Sequence, residues 1–213
     1  MLSADIIEVD LDVNQPAELS FEAGQWISVP FGPKNVRAYS IASTPLSSRR
    51  ITLCADVAPG GIGSAWFRGL AAEQAVEFKA PFGGFVFRRD DPRRSLFVAE
   101  EIGIVPIRSM LADLAETGFE LRAKLLYWGR DPSWLPYHAE FLALTRRCPG
   151  FAYHPMVGAG DAGRLAARVD ALVTDTSDLV AYVSGSGVMI DAVRRALMAK
   201  GLDRKSVRWE KFW

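Results

Sequence analysis

The chain has 213 residues, 49% of them hydrophobic and 23% charged, with 25 Lys plus Arg balanced by 25 Asp plus Glu. This is the composition of a globular protein of one large or two small domains, and the balanced charge excludes the basic excess that a nucleic-acid binder requires. Two cysteines, Cys54 and Cys148, are too few for an iron–sulfur centre, a Cys-rich zinc site or a disulfide framework, which points to a reducing cytoplasm.

The first ninety residues read as short strands broken by Pro and Gly: DIIEVDLDV, QWISVPF, RAYSIAS, RRITLCADV and AVEFKAPF. Their β-branched and aromatic content predicts an antiparallel barrel or sandwich. One helix, SAWFRGLAA, is expected here, with Ser64 as its N-cap. From about residue 95 the period changes. Strand SLFVAE leads to helix PIRSMLADLAET, with Pro106 early in the helix and Gly118 as its stop. Strand LRAKLLYWG, helix PYHAEFLALTRR, strand FAYHPMV and a helix around GRLAARVDALV follow. Strand LVAYVSG, helix VMIDAVRRALMAK up to Gly201, and strand SVRWEKF complete the chain. Alternating strands and helices predict a parallel sheet with helices on both faces. The joint, RRDDPRR at 88–94, is charged, contains Pro92 and is expected to be exposed. No apolar run approaches the roughly 18 residues of a membrane helix, and MLSADIIEVD carries no signal-peptide pattern, so no membrane insertion is expected.

Chemistry is expected where parallel strands end beside helix N-termini. Three such ends carry glycine: EEIGIVP, GRDPSW and GSGVM. Glycine lets backbone amides approach a phosphate, although a tight turn asks for it as well. The loop PGGIGSAWF adds Gly60, Gly61 and Gly63 ahead of Ser64, which suits either a pyrophosphate cradle or a serine-capped turn. In RAYSIAS, alternation places Arg37 and Tyr39 on one face, as a ligand wall or as an ordinary exposed strand. No G-x-S-x-G elbow is present, since Ile62 stands two residues before Ser64. His138 reads as a surface helix residue, His154 as a structural strand residue and Cys54 as a buried hydrophobe.

Together RAYS, the Gly61-Ile62-Gly63-Ser64 loop, KAPFGGF, GIVPIRSML, YVSGSGVMIDAVRRAL and WEKFW resemble the ferredoxin–NAD(P) reductase family over nearly the whole chain. The resemblance implies a Greek-key antiparallel β-barrel that binds FAD over residues 1–90. It also implies an α/β NAD(P)-binding domain over 95–213. Arg37 would hold the FAD pyrophosphate, Tyr39 with Ala38 would pack on the flavin, and Ser40 would hydrogen-bond near the atom where hydride arrives. The backbone of Leu53, Cys54 and Ala55, with Gly61, Ile62, Gly63 and Ser64, would complete that site. Gly103, Ile104, Pro106, Gly129, Arg130, Gly185 and Met189 would shape the pyridine-nucleotide site. Phe212 or Trp213 would stack on the other flavin face, and Ser184 and Glu210 would join Ser40 as catalytic positions.

The chain departs from the family pattern at several places. Glu100-Glu101-Ile102-Gly103 replaces a glycine-rich G-G-T-G, and two carboxylates there are expected to repel a dinucleotide. Ser184 replaces a cysteine. VGAGDAGR lacks the Ser-Arg pair that receives the 2′-phosphate of NADP, and Asp161 within it favours NADH over NADPH. The chain starts about one strand short of the family pattern, implying an incomplete or rearranged barrel. The implied activity passes electrons from NADH or NADPH through FAD to a separate acceptor, either an acidic iron–sulfur protein or a small molecule. Seven basic residues between Arg194 and Lys211 offer a docking face or simply a solvated helix face. An electron-transfer subunit that keeps FAD but binds nucleotide weakly, and a free flavin reductase, stand as alternatives.

Overall fold

The computed structural model describes residues 2–120, 122–158 and 162–212. Strands β1 (Ile6–Asp12) and β4 (Arg50–Asp56) pair antiparallel, and β2 (Trp26–Pro30) lies between β3 (Val36–Ser40) and β5 (Lys79–Phe82). The two sheets meet through an Ile41↔Leu53 bridge. Alternation buries Ile27, Val29, Ile51 and Leu53 in one core, closed from below by Phe67 of α1 (Ile62–Gly69). The expected antiparallel β half is thus built from two sheets joined at one edge around a shared core.

Five parallel strands follow: β6 (Arg94–Glu100), β7 (Ala123–Gly129), β8 (Phe151–Val157), β9 (Leu179–Gly185) and β10 (Val207–Lys211). Their order is β10-β9-β6-β7-β8, so the strand order reverses between β6 and β9. Each central strand is apolar on both faces, as a sheet covered on both sides must be. Phe97 and Ala99 of β6 pack with α2 (Ile104–Glu116) and α3 (His138–Arg147). Leu96 and Val98 face α4 (Ala162–Leu172) and α5 (Gly187–Ala199). Among the described residues no helix is long and apolar enough to cross a membrane.

Several boundaries differ from expectation. Helix α1 begins at Ile62 with Gly61 as its N-cap, so Ser64 lies buried inside the first turn rather than capping it. Helix α2 starts two residues before Pro106, which is tolerated because first-turn amides have no intrahelical acceptor. Tyr137, at φ 65°, delays α3 to His138. Of AVEFKAPF only Lys79–Phe82 is strand, because β2 meets it through a register shift between Trp26 and Ser28.

A polar seam joins the two halves. Arg108 of α2 donates to the Ala42 carbonyl at 2.7 Å and grips Glu140 through both carboxylate oxygens. The neighbouring Ser109 hydroxyl donates to the Ser43 carbonyl at 2.6 Å, and Thr44 donates to Glu116 at 2.8 Å. Tyr137 donates to Glu8 at 2.5 Å. The joint is less exposed than its charge suggests, because Arg93 donates to the Leu179 carbonyl and the Ser206 hydroxyl.

Candidate functional site

A cleft of 740 Å³ opens between the barrel and the carboxyl ends of the parallel strands. Its barrel wall consists of Arg37, Ala38, Tyr39 and Ser40 with Cys54 and Ala55 of β4. Tyr39 is fixed by aromatic neighbours, stacked on Trp66 at 5.6 Å and edge-on to Phe67 at 5.0 Å. Burial raises its phenol pKa, against the opposing pull of Arg37. Gly63 makes this arrangement possible: a Cβ there would lie 2.3 Å from the Tyr39 hydroxyl. Gly61, Ile62 and Ser64 continue the wall, and Gly61 faces open space. Arg37 stays exposed at the mouth, its guanidinium donating to the Val36 carbonyl at 2.8 Å. Burial pushes the Cys54 thiol up to about 12, keeping it a neutral wall group. Leu53 turns its side chain into the barrel core, leaving only its backbone for any ligand.

The opposite wall holds Glu100, Glu101, Ile102, Trp128, Arg130 and Phe212. Glu101 is 5% exposed and sits at φ 47°, a left-handed conformation that costs a non-glycine residue energy. Both of its carboxylate oxygens accept from Arg130, with Nε to Oε1 at 2.6 Å. The guanidinium carbon of Arg130 lies 3.8 Å over the Trp134 ring. Arg130, expected to serve the nucleotide, is therefore already engaged. Glu100 is engaged differently: its Oε2 accepts from the Ser186 backbone amide at 2.7 Å, at the start of α5. Phe212 enters the cleft from the end of β10, anchored by its amide to the Gly185 carbonyl at 3.0 Å. Trp213 and Asp161 lie outside the described residues.

A second cavity, of 240 Å³, adjoins the first and shares Glu100 and Trp128 with it. Ser186, Val188 and Met189 of the α5 start form its far side. The glycines of this region serve close packing: a Cβ on Gly103 would meet the Ser184 carbonyl at 2.5 Å, and one on Gly129 the Trp134 carbonyl at 2.8 Å. Ile104 and Pro106 are buried, because the first turn of α2 faces the sheet and not the cleft. Ser184 is fully buried and pairs in register with Glu210, and neither lines the cleft as expected. Ser184 Oγ and Glu210 Oε2 have no hydrogen-bond partner among the described residues. Burial raises the Glu210 carboxyl to about 7.

Asp56, Pro59, Phe67, Ile102 and Trp128 also line the cleft and were not anticipated. Phe67 carried a signal, lying one helical turn after Gly63, and Trp128 another, lying at the end of the LLYWG strand. His138 is tied to the Tyr153 hydroxyl at 2.9 Å, so it is more than a surface residue. No group of three His, Cys, Asp or Glu placed to hold a metal occurs among the described residues.

Residues 1–87 match the oxidoreductase FAD-binding domain family. Over 204 residues the chain is 32% identical to reductase component 1 of terephthalate 1,2-dioxygenase from Comamonas sp, covering 92% of this chain and 60% of that protein. It is 28% identical to ferredoxin–NADP reductase B of Sorangium cellulosum (strain So ce56), covering 99% of this chain and 93% of the relative. The cytochrome P450 reductase of Amycolatopsis shares its fold with a TM-score of 0.85 at 23% identity, covering 99% of this chain and 66% of that one. The chain spans 60% of the length of each of the first two curated relatives that it matches.

Proposed function

We propose that this chain, which belongs to the ferredoxin–NAD(P) reductase family, is an FAD-dependent NAD(P)H oxidoreductase delivering electrons to a separate acceptor. The observation that carries this reading is the cleft itself. Its volume falls in the usual range of cofactor sites, roughly 300–1,000 Å³, and Arg37 to Ser40 form one wall with Phe212 in the other. The chain's residues fit FAD, since Gly63 is a position that any side chain would close and Gly61 opens onto free space.

Bound FAD supplies the exchange between two-electron hydride chemistry and one-electron transfer. Arg37 and the amides at the start of α1 offer positive charge and donors for a pyrophosphate. Tyr39, held rigid by Trp66 and Phe67, presents an aromatic ring at low entropic cost. The nearly buried Ser40 hydroxyl is a hydrogen-bond donor inside the cleft, and Ile102 and Phe67 add apolar wall that limits water. Phe212 closes the opposite side and is the aromatic that an entering nicotinamide would displace.

The preference for NADH over NADPH rests on the sequence VGAGDAGR, where Asp161 disfavours a 2′-phosphate. The acceptor is an acidic iron–sulfur protein or a small molecule, consistent with exposed Trp209 beside Arg194 on the basic C-terminal stretch. Cytoplasmic placement agrees with two free cysteines. A second reading, an FAD-binding electron-transfer subunit with weak nucleotide binding, is favoured by the engagement of Ser186 with Glu100. Anaerobic titration of the flavin-loaded protein with NADH and with NADPH separates the two. Bleaching of the visible flavin band by either nucleotide supports the reductase. A yellow protein bleached only by dithionite supports the subunit, and a protein that takes up no FAD refutes both.

A further inference from the structure

The carboxyl ends of β6 and β9 are neighbours at the reversal of strand order, with Ala99 beside Ser184 in the register. An open parallel sheet receives ligands in the crevice just beyond that point. Here the crevice is bridged from within. Glu100, the last residue of β6, crosses it to accept from the Ser186 amide at 2.7 Å. Its path depends on the residue before Ser186. A Cβ on Gly185, at φ 154°, would lie 2.7 Å from the Glu100 Cβ and 2.9 Å from its Oε2. Glu100 also stands with Trp128 in the partition between the 740 Å³ cleft and the 240 Å³ cavity. The adjacent Glu101 does not share this role, because Arg130 meets its charge.

We propose that Glu100 sets the affinity of the chain for a pyridine nucleotide: an internal anion that a phosphate-bearing donor must displace before the two cavities become one channel. The inference rests on the reading of the chain as an NAD(P)H oxidoreductase. The first amides of a helix favour an anion, and the carboxylate already held there occupies that position. A dinucleotide entering beside it either meets like-charge repulsion or turns the side chain out. The chain therefore binds pyridine dinucleotide more weakly than its cleft would otherwise allow.

The test is equilibrium binding of NAD⁺, which reduces nothing, to the oxidised, flavin-loaded protein by titration calorimetry. Glu100→Ala is expected to tighten binding by about twofold to about thirtyfold, the range set by one charge at a helix N-terminus. Glu100→Gln tightens it less, because its amide oxygen still accepts from Ser186 without bearing charge. Asp191→Asn removes an exposed carboxylate from the same helix and leaves the affinity unchanged. Unchanged or weakened binding in Glu100→Ala overturns the proposal, as does equal tightening in Asp191→Asn. NADH bleaching of the wild-type flavin separates the two levels. If bleaching occurs while Glu100→Ala binds no better, this inference fails and the reaction stands. If no variant binds NAD⁺ and none is bleached, both fail.

Discussion

Gly63→Ala tests the cleft at its tightest point. The added Cβ would lie 2.3 Å from the Tyr39 hydroxyl, 3.5 Å from the ring carbon bearing it and 3.9 Å from Arg37 Cγ. Tyr39 cannot retreat from it, because Trp66 stacks on one side and Phe67 abuts the other, so the ring swings into the cleft. Overpacking of this kind costs about 1–3 kcal/mol, whereas alanine within a helix regains about 1 kcal/mol over glycine. The two terms nearly cancel for folding, leaving a loss of about 0–2 kcal/mol. Whatever part of the clash the swung ring escapes in the flavin-free protein returns when flavin pushes the ring back. The FAD Kd is therefore expected to rise by about fivefold to about 150-fold where binding rather than folding bears that cost of about 1–3 kcal/mol. Quenching of flavin fluorescence on titrating the flavin-free protein measures this Kd, and a thermal melt gives the folding term. Tyr39→Phe removes the offending oxygen and leaves the ring carbon at 3.5 Å as the nearest contact, an ordinary separation. Gly63→Ala combined with Tyr39→Phe is therefore nearly silent. An FAD Kd within twofold of wild type for Gly63→Ala alone, or an undiminished effect when Tyr39→Phe is also present, would refute the reasoning.

Two further perturbations address other parts of the molecule. Burial raises the Glu210 carboxyl from its ordinary 4.5 to about 7, so the folded chain holds a proton there that the unfolded chain has released. That contribution to stability is complete below about pH 4.5 and is lost as pH rises to about 7. Glu210→Gln should remove this dependence, and melting curves that change in parallel for both proteins between these limits would contradict it. Ser109→Ala strips the fully buried donor from the Ser43 carbonyl and should cost about 1–3 kcal/mol. At about 2–4 °C per kcal/mol for a chain of this size, a thermal melt resolves the loss, and an unchanged Tm would show that the seam contributes nothing there.

Most of the fold was legible because its signals are local. A change of apolar period near residue 95 separates the two halves, and glycine-bearing strand ends mark the crevice. What stayed hidden was pairing. Glu100 and Glu101 stand out in the sequence as two charges where glycine was expected, but their partners lie far along the chain. Arg130 is 29 residues from Glu101, and Ser186 is 86 from Glu100. Only the parallel register brings those strand ends together, and register depends on long-range packing. Ser184 and Glu210 illustrate the same limit, since they fall at the expected strand ends yet their burial depends on what covers the sheet. Asp56 and Pro59 belong to no motif, and only the space beside them marks them as wall.

The hydrogen bonds from α2 to residues 42–44 have a mechanical consequence. Arg108, Ser109 and Glu116 hold the chain just after Ser40, while the start of the same helix follows directly from Glu100 and Glu101. The helix is thus a crossbar bolted to both halves. A hinge at the joint would have to pull three bolts at once, and also free Arg88, whose amide donates to the Tyr182 hydroxyl. The chain is built more like a lock with fixed plates and moving tumblers. Its collective door is bolted, and entry is left to single side chains turning at the cleft walls.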